Sequence, residues 1–203
     1  MKLRFSPTSP FVRKVMVTAH ETGQADKLEP VPTNPWDPET DLPKDNPLGK
    51  VPALVTDMGE TLYDSIVICE FLDSRHDGPQ IFPADGVARW KALKLHALGD
   101  GILEAAVLRF IETARRPEEF RWAPWIERQN GKMAAAFDWM EANADSLTGP
   151  VTIGHIALGC ALGYADFRFP EDDWRGKRPK LTDWYDTFAE RESMQATVPQ
   201  DPS

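Results

Sequence analysis

Residues 46–72 constrain the fold more than any other part of the 203-residue chain. Pro52 precedes a short apolar run at residues 53–55, which is typical of a buried strand. Because proline cannot donate a hydrogen bond to a sheet, Pro52 is expected at the first residue of that strand. The Val51–Pro52 bond can be cis, and the proline favours an extended conformation at Val51. The backbone N–H and C=O groups of Val51 are therefore candidates for pairing with an extended peptide ligand.

A second strand and a helix start follow along the same stretch. Residues 57–60 have the composition of a turn, residues 61–63 suit a short strand, and Asp64 and Ser65 are favoured N-cap residues. Residues 66–72 are apolar on most sides, which predicts a well-buried helix. Because the first N–H groups of a helix bind carboxylates, Ser65 can bind a carboxylate while Asp64 accepts from an ammonium group. The stretch thus predicts a site for a small peptide with a free α-amino-acid end.

The beginning of the chain contains a further candidate site residue, Ser9. Residues 3–5 suit a first strand, and apolar residues repeat at helical spacing from Phe11 onward. Pro10 fits the first turn of that helix, so Ser9 is expected at the N-cap. Ser9 could act as a cap alone, or its hydroxyl and the positive helix end could stabilise a thiolate. Thr8 is the nearest alternative for the second role.

A long irregular loop separates these two regions. Residues 27–31 suit an edge strand, and residues 32–47 contain five prolines among acidic and polar residues. Long ordered loops are often functional. Lys44 and Lys50 are the cations of this region, and each is either a solvated surface lysine or a partner for a second carboxylate of the bound peptide.

These segments resemble the glutathione-binding domain of the glutathione S-transferase superfamily. The matching residues are Asn46-Pro47, Lys50-Val51-Pro52-Ala53-Leu54, Tyr63-Asp64-Ser65-Ile66 and Glu70-Phe71-Leu72. Ser9-Pro10-Phe11-Val12-Arg13 is similar to the sequence around the catalytic serine of the serine-type bacterial members. Residues 167–188 are similar to the end of bacterial members, so the resemblance covers nearly the whole chain.

The sequence elements and the resemblance together predict a thioredoxin-like α/β domain at residues 1–77, a linker at 78–85 and an all-helical domain at 86–203. The resemblance implies a homodimeric, glutathione-dependent transferase in which Ser9 hydrogen-bonds the glutathione sulfur and lowers the pKa of the thiol. Glutathione would be bound by Lys50, Val51, Pro52, Asp64 and Ser65, with Lys44 as an alternative to Lys50. A small hydrophobic electrophile would contact Thr8, Phe11 and the helix that carries Arg109 and Phe110.

Other activities are compatible with the same residues. The thiolate could serve isomerisation, ether cleavage or peroxide reduction, and a non-catalytic glutathione-binding or protein-interaction module is a further alternative, since fold does not determine function. The loop at Ser9 contains no cysteine, which disfavours disulfide reduction through a protein cysteine. No tyrosine lies near the first strand, which disfavours tyrosine-type catalysis.

The chain after residue 86 has helical patterns throughout. Thr152 suits the N-cap of a very apolar helix, and Val151 before it can pack against Ile156. The corresponding motif of the transferases is Ser/Thr-x-x-Asp, whereas this chain has His155 in place of the aspartate. A histidine is not expected to accept a hydrogen bond there as a carboxylate would, and its protonated form opposes the helix dipole. A weaker or rearranged cap is therefore predicted.

Charge and composition limit the partners and the location. A net charge of −9 argues against nucleic acid and anionic membranes as partners. No apolar signal core follows Met1 and no run approaches membrane-spanning length, which predicts a cytoplasmic protein. Cys69 and Cys160 lie in apolar helical patterns and are expected to be reduced and buried. The four histidines are scattered, so no metal site is predicted, and residues 199–203 are expected to be loose.

Overall fold

The computed structural model of the chain describes residues 1–201, and these residues form two compact units. The first unit contains Met1–Arg89 and the chain from Glu192 onward, and the second contains Trp90–Arg191. Positions 202 and 203, which belong to the predicted helical domain and the predicted loose tail, lie outside the described residues. The predicted domain limits, with a linker at residues 78–85, stay a prediction.

The first unit is built on a four-stranded mixed sheet. Its strands are β1 (Lys2–Phe5), β2 (Glu29–Pro32), β3 (Leu54–Val55) and β4 (Thr61–Leu62). The strand order is β2-β1-β3-β4, with β2 parallel to β1, β3 antiparallel to β1, and β4 antiparallel to β3. With a helix after β1 and another after β4, this topology confirms the predicted thioredoxin-like α/β fold.

Those two helices are α1 (Pro10–Glu21) and α2 (Ser65–Asp73), and they pack against each other. The Thr18 hydroxyl of α1 donates to the Cys69 sulfur of α2 over 3.3 Å within the buried core. Apolar residues of both helices that face this core are fully buried, among them Val15 of α1 and Leu72 of α2. Cys69, like Cys160 in the second unit, is buried and forms no disulfide.

A short C-terminal helix, α7 (Glu192–Gln195), also belongs to the first unit. The Ser193 hydroxyl donates to Glu21 at the end of α1 over 2.5 Å. The Arg13 guanidinium donates to the Met194 carbonyl oxygen over 3.2 Å. These contacts join residues about as far apart in the chain as its length allows, and no local pattern predicts them.

The second unit is helical, which confirms the predicted all-α character of the C-terminal region. Its helices are α3 (Gly86–Phe110, which begins in the first unit), a π-helical turn (Ile111–Arg115), α4 (Ala123–Ala142), α5 (Ile153–Arg168) and α6 (Pro179–Ala189). None of the helices within residues 1–201 combines the length and the apolar character needed to cross a membrane.

Helix α5 is almost entirely buried, and two glycines allow it to lie very close to α3. A Cβ atom at Gly154 of α5 would lie 2.6 Å from the Leu95 Cβ atom, and one at Gly99 of α3 would lie 2.7 Å from the backbone of Ala157. Neither distance is compatible with normal packing. The small residues in these helices therefore set the distance between them.

The start of α5 corrects one expectation from the sequence. The Thr152 backbone N–H donates to His155 Nδ1 over 3.0 Å, and the two residues form a reciprocal capping box. The expectation that a histidine cannot accept at this position is wrong, because neutral imidazole presents a lone pair on one ring nitrogen. Burial, together with the positive charges of Lys91 and Arg191, lowers the pKa of His155 below its ordinary value and so favours the neutral form.

Candidate active site

The sheet topology brings four segments of the first unit to one edge. Because β2 is parallel to β1, the carboxyl ends of both strands lie at the same edge, with Phe5 opposite Pro32. Because β3 is antiparallel to β1, it begins at that edge, and the antiparallel β4 ends there, with Leu54 opposite Leu62. The segments that carry Ser9, Val51 and Ser65 therefore all join the sheet at the same edge.

Ser9 is the N-cap residue of α1, as predicted. Its backbone is extended, and its Oγ atom accepts a hydrogen bond from the Val12 N–H over 3.3 Å. A hydroxyl that accepts in this way can still donate its own proton. Ser9 is only half-buried, so a ligand can reach that proton beside the positive end of α1.

The two neighbouring candidates differ from Ser9 in their contacts. Thr8 is half-buried, and its hydroxyl lies 3.4 Å from the Ser6 hydroxyl. Phe11 is half-buried on the first turn of α1, with the Lys14 ammonium 5.6 Å from its ring centre. Ser9 is thus the hydroxyl residue that directly caps the helix, whereas Thr8 lies one residue before the cap.

Val51 has an unsatisfied backbone. The Val51–Pro52 peptide bond is cis, and Pro52 is buried just before β3. Within residues 1–201, neither the N–H nor the C=O of Val51 has a hydrogen-bond partner, while the flanking residues are bonded. The Asn46 amide donates to the Lys50 carbonyl over 2.8 Å, and the Arg4 N–H donates to the Ala53 carbonyl over 2.8 Å. Val51 therefore presents one donor and one acceptor in a rigidly held segment.

The N-terminus of α2 supplies a second set of polar groups. Asp64 is its N-cap residue, and one carboxylate oxygen accepts from the Ile66 N–H over 3.3 Å. Asp64 is exposed, so the rest of its carboxylate can accept from a ligand. Ser65, the first helical residue, is 2% exposed, and no hydrogen bond of its side chain is observed within residues 1–201. Together the two residues can hold an ammonium group and a carboxylate.

Both candidate lysines lie on the loop between β2 and β3 and are exposed. Lys44 ends a helical turn at Leu42–Lys44, and Lys50 immediately precedes Val51. The two acidic residues that flank this turn, Asp41 and Asp45, are both bound by the Arg4 side chain of β1. The hydrogen bond from Arg4 holds the pKa of the Asp41 carboxyl below its ordinary value. Arg4 was not a candidate in the sequence, where the only signal is a cation within an apolar strand.

The predicted electrophile contacts on α3 have partners within the second unit. The Arg109 guanidinium binds both carboxylate oxygens of Asp172 and lies 3.8 Å from the Phe169 ring centre. The Arg168 guanidinium lies 4.5 Å from the Phe110 ring centre. That Arg109 and Phe110 line an electrophile site stays a prediction.

Comparisons with known proteins identify the family. Residues 8–75 match the family model of the glutathione S-transferase N-terminal domain, and residues 123–187 match that of the glutathione S-transferase C-terminal domain. The chain belongs to the glutathione S-transferase family. It is 34% identical to the uncharacterized GST-like protein YibF of Escherichia coli K12. The alignment spans 202 residues and covers 98% of each chain.

Two solved structures from Pseudomonas fluorescens Pf-5 are similar to this chain over almost its full length. A glutathione transferase family member with bound glutathione is 45% identical, covers 98% of this chain and 99% of its own, and superposes with a TM-score of 0.94. A second structure, with bound S-(propanoic acid)-glutathione, is 43% identical, covers 99% of this chain and 100% of its own, and has a TM-score of 0.92. The fold and the family are therefore established together.

Proposed function

We propose that this protein is a glutathione-dependent transferase that activates the glutathione thiol and directs it at a small hydrophobic electrophile. The observation that carries the proposal is the unpaired backbone of Val51 at the same sheet edge as the Ser9 cap and the start of α2. A chain that leaves these groups without partners in its own fold has a polar site that a ligand can complete. The glutathione bound in a similar structure at 45% identity supports this choice of ligand.

The proposed binding mode matches each end of the tripeptide to one group of residues. The backbone of Val51, shaped by the cis Pro52, pairs with the cysteinyl backbone of glutathione. Ser65 and the N-terminus of α2 bind the γ-glutamyl carboxylate, and Asp64 accepts from its ammonium group. Lys50 or Lys44 binds the glycyl carboxylate. These local donors are needed because a net charge of −9 repels an anionic ligand over longer distances.

In this proposal Ser9 activates the sulfur. Its hydroxyl donates to the thiolate while its oxygen accepts from the Val12 N–H, and the N-terminus of α1 adds a favourable electrostatic contribution. An unperturbed thiol has a pKa of about 8.5, and each unit by which the site lowers that pKa corresponds to about 1.4 kcal/mol. The thiolate sulfur then forms a bond to the electrophilic carbon, and the leaving group departs with the electron pair of the bond that breaks.

The second Pseudomonas structure supports transfer as the reaction type. Its ligand, S-(propanoic acid)-glutathione, carries a carbon substituent on the sulfur, as the product of thiolate attack on an electrophile would. Isomerase, lyase and peroxidase reactions would use the same thiolate. Activation of the thiol by Ser9 therefore does not distinguish these reactions from transfer, and only their substrates differ. A non-catalytic glutathione-binding module would leave the thiol pKa at its ordinary value.

The experiment that tests the proposal is a pH titration of the thiolate absorbance of bound glutathione, in the wild-type protein and in Ser9→Ala. We expect a lowered thiol pKa in the wild type that returns toward about 8.5 in the variant, because the donor to the sulfur is lost. Thr8→Ala is the matched control and should keep the lowered pKa. Bound glutathione with an ordinary pKa in the wild type would refute the transferase mechanism and favour the binding module.

We further propose that the protein is a cytoplasmic homodimer. Within the first unit, Met58, Val67 and Val87 expose large apolar side chains, of which Met58 and Val87 are 83% and 86% exposed. Single exposed apolar side chains are also normal on monomers, so the family resemblance is the main support for the dimer. Sedimentation equilibrium should give twice the mass of 22.8 kDa, whereas a monomer at micromolar concentration would refute the dimer.

A further inference from the structure

Arg4 contacts the loop that carries the proposed glutathione ligands at three separate points. This loop, residues 33–53, is called the clamp loop below. The Arg4 backbone N–H donates to the Ala53 carbonyl over 2.8 Å. Its Nε atom donates to Asp45 over 2.6 Å, and its Nη1 atom donates to Asp41 over 2.8 Å. One residue of the central strand β1 therefore binds the clamp loop both at its end and in its middle.

The clamp loop has little regular structure of its own. Its one described helical turn is Leu42–Lys44, and its first residue, Thr33, is held by a 2.7 Å hydrogen bond from its N–H to the Phe5 carbonyl. Ordering a backbone segment of this length carries a large entropic cost unless tertiary contacts offset it. The Arg4 side chain binds the two carboxylates that flank the helical turn, so it ties the middle of the loop to strand β1.

Burial and charge make this ion-pair cluster stronger than an ordinary surface pair. The Arg4 side chain is 15% exposed and Asp45 is 21% exposed, whereas Asp41 is 53% exposed. The hydrogen bond to Asp41 raises the pKa of Arg4 above its ordinary value, at which an arginine is already charged at physiological pH. Charge-assisted hydrogen bonds from a planar guanidinium to two carboxylates are among the stronger and more geometrically specific contacts in proteins.

We propose that Arg4 is a positioning residue for glutathione, which fixes the clamp loop in the shape that binds the tripeptide. This inference rests on the proposed function. Arg4 does not touch the ligand in this proposal; it acts through Asp41 and Asp45 on the loop that carries Lys44, Lys50 and Val51. Preorganisation of this kind lowers the entropic cost of binding and therefore tightens affinity without changing the chemistry at the sulfur.

A second contact within the clamp loop limits the size of the expected effect. The Asn46 side chain donates to the Lys50 carbonyl over 2.8 Å and accepts from the Leu48 N–H over 3.0 Å, and neither bond involves Arg4. Leu42 is fully buried and also anchors the loop. We therefore expect loosening of the loop and not its loss, with glutathione affinity weakened about tenfold.

The test measures the dissociation constant of glutathione by calorimetry for the wild type, Arg4→Gln, and the triple variant Arg4→Gln/Asp41→Asn/Asp45→Asn. Arg4→Gln should raise the dissociation constant about tenfold and leave the pKa of the bound thiol as in the wild type. The triple variant separates positioning from charge, because Arg4→Gln alone also exposes two carboxylates to an anionic ligand. If positioning dominates, binding stays weak in the triple variant.

Hydrogen exchange of the unliganded protein provides a readout independent of glutathione. The N–H groups of Lys44, Asp45 and Asn46 are bonded within the helical turn and should exchange faster in Arg4→Gln than in the wild type. Arg89→Gln is the matched control, since it breaks an arginine–carboxylate pair with Glu70 elsewhere in the first unit. It should leave both the exchange of the turn and the dissociation constant unchanged.

The outcomes distinguish this inference from the proposed function. If the wild type does not bind glutathione, the proposed function fails, and the role of Arg4 fails with it. If the wild type binds but Arg4→Gln binds equally well, or if the triple variant recovers wild-type affinity, only the positioning role is refuted. Should Arg4→Gln not fold, Asp45→Ala removes one acceptor of the same cluster and must itself weaken binding for the inference to stand.

Discussion

The helices α2 and α5 both begin with a favoured N-cap residue but use the polar groups of their N-termini in opposite ways. At α2, the Asp64 cap accepts from one backbone N–H, and the Ser65 hydroxyl beside it has no partner in the described chain. At α5, Thr152 and His155 bind each other in a closed capping box. One helix start is left open at the edge of a sheet, and the other is completed within its own unit.

This difference shows when a helix N-terminus can serve as a binding site. Every helix start has N–H groups without intrahelical partners and a partial positive charge. These groups are available to a ligand only where the chain does not satisfy them itself. At α2 the chain leaves Ser65 unpaired, whereas at α5 a histidine side chain accepts the bond that a carboxylate would otherwise accept. Three predictions follow from this contrast.

The largest expected effect is on ligand binding at α2. Ser65→Ala should weaken glutathione binding by about 1.5–3 kcal/mol, because it removes a hydrogen bond to a charged carboxylate. The free energy of unfolding should change by less than about 0.5 kcal/mol, since the hydroxyl has no partner to lose within the described chain. Calorimetry and urea unfolding measure the two quantities. A variant that binds glutathione normally would show that the open N-terminus is not used.

The second prediction is the reverse behaviour at α5. Thr152→Ala should lower the free energy of unfolding by about 1 kcal/mol, because it removes a helix cap. The dissociation constant of glutathione should remain that of the wild type, since no proposed ligand contact involves this residue. Urea unfolding monitored by tryptophan fluorescence measures the stability. Unchanged stability would mean that the capping box contributes nothing to the folded state.

The third effect appears only as the pH falls and depends on His155. Its pKa in the folded protein is lowered from 6.5, so the unfolded state binds more protons in the pH range between the lowered value and 6.5. The free energy of unfolding therefore falls as the pH falls through that range, by at most about 1.4 kcal/mol per pH unit, and levels off below it. Protonation also removes the lone pair that accepts from the Thr152 N–H.

His155→Gln is the control for the pH effect. A glutamine at this position of a capping box can accept the same hydrogen bond but does not titrate. Urea unfolding between pH 5 and pH 7.5 should therefore show a steeper loss of stability in the wild type than in the variant. Parallel curves would show that His155 does not account for the pH dependence.

Local sequence signals were sufficient to predict features in which a residue acts on its neighbours along the chain. The cap at Ser9, the cap at Asp64 and the proline before β3 all depend on conformational preferences within a few residues. The family resemblance then supplied the topology, which agrees with the observed sheet. The roles of the predicted ligand residues, including Lys44 and Lys50, stay predictions because they depend on a ligand.

Contacts between distant parts of the chain could not be predicted from local sequence signals. Arg4 meets Asp41 and Asp45 about forty residues later, and Glu21 meets Ser193 at the opposite end of the sequence. The acceptor role of His155 depends on burial, which sets its protonation state and cannot be read from the motif Thr-x-x-His. The close approach of α3 and α5 at Gly154 likewise requires both helices to be in place.

The amino-acid sequence of this protein thus determines where its strands and helices begin, and which backbone groups lie at their ends. It does so because caps, prolines and apolar periodicity act over a few residues. The folded arrangement determines which of those end groups remain unpaired, since Val51 and Ser65 stay open while Thr152 is closed by a side chain. Whether a polar group finds a partner depends on everything packed around it, and that is a property of the tertiary structure.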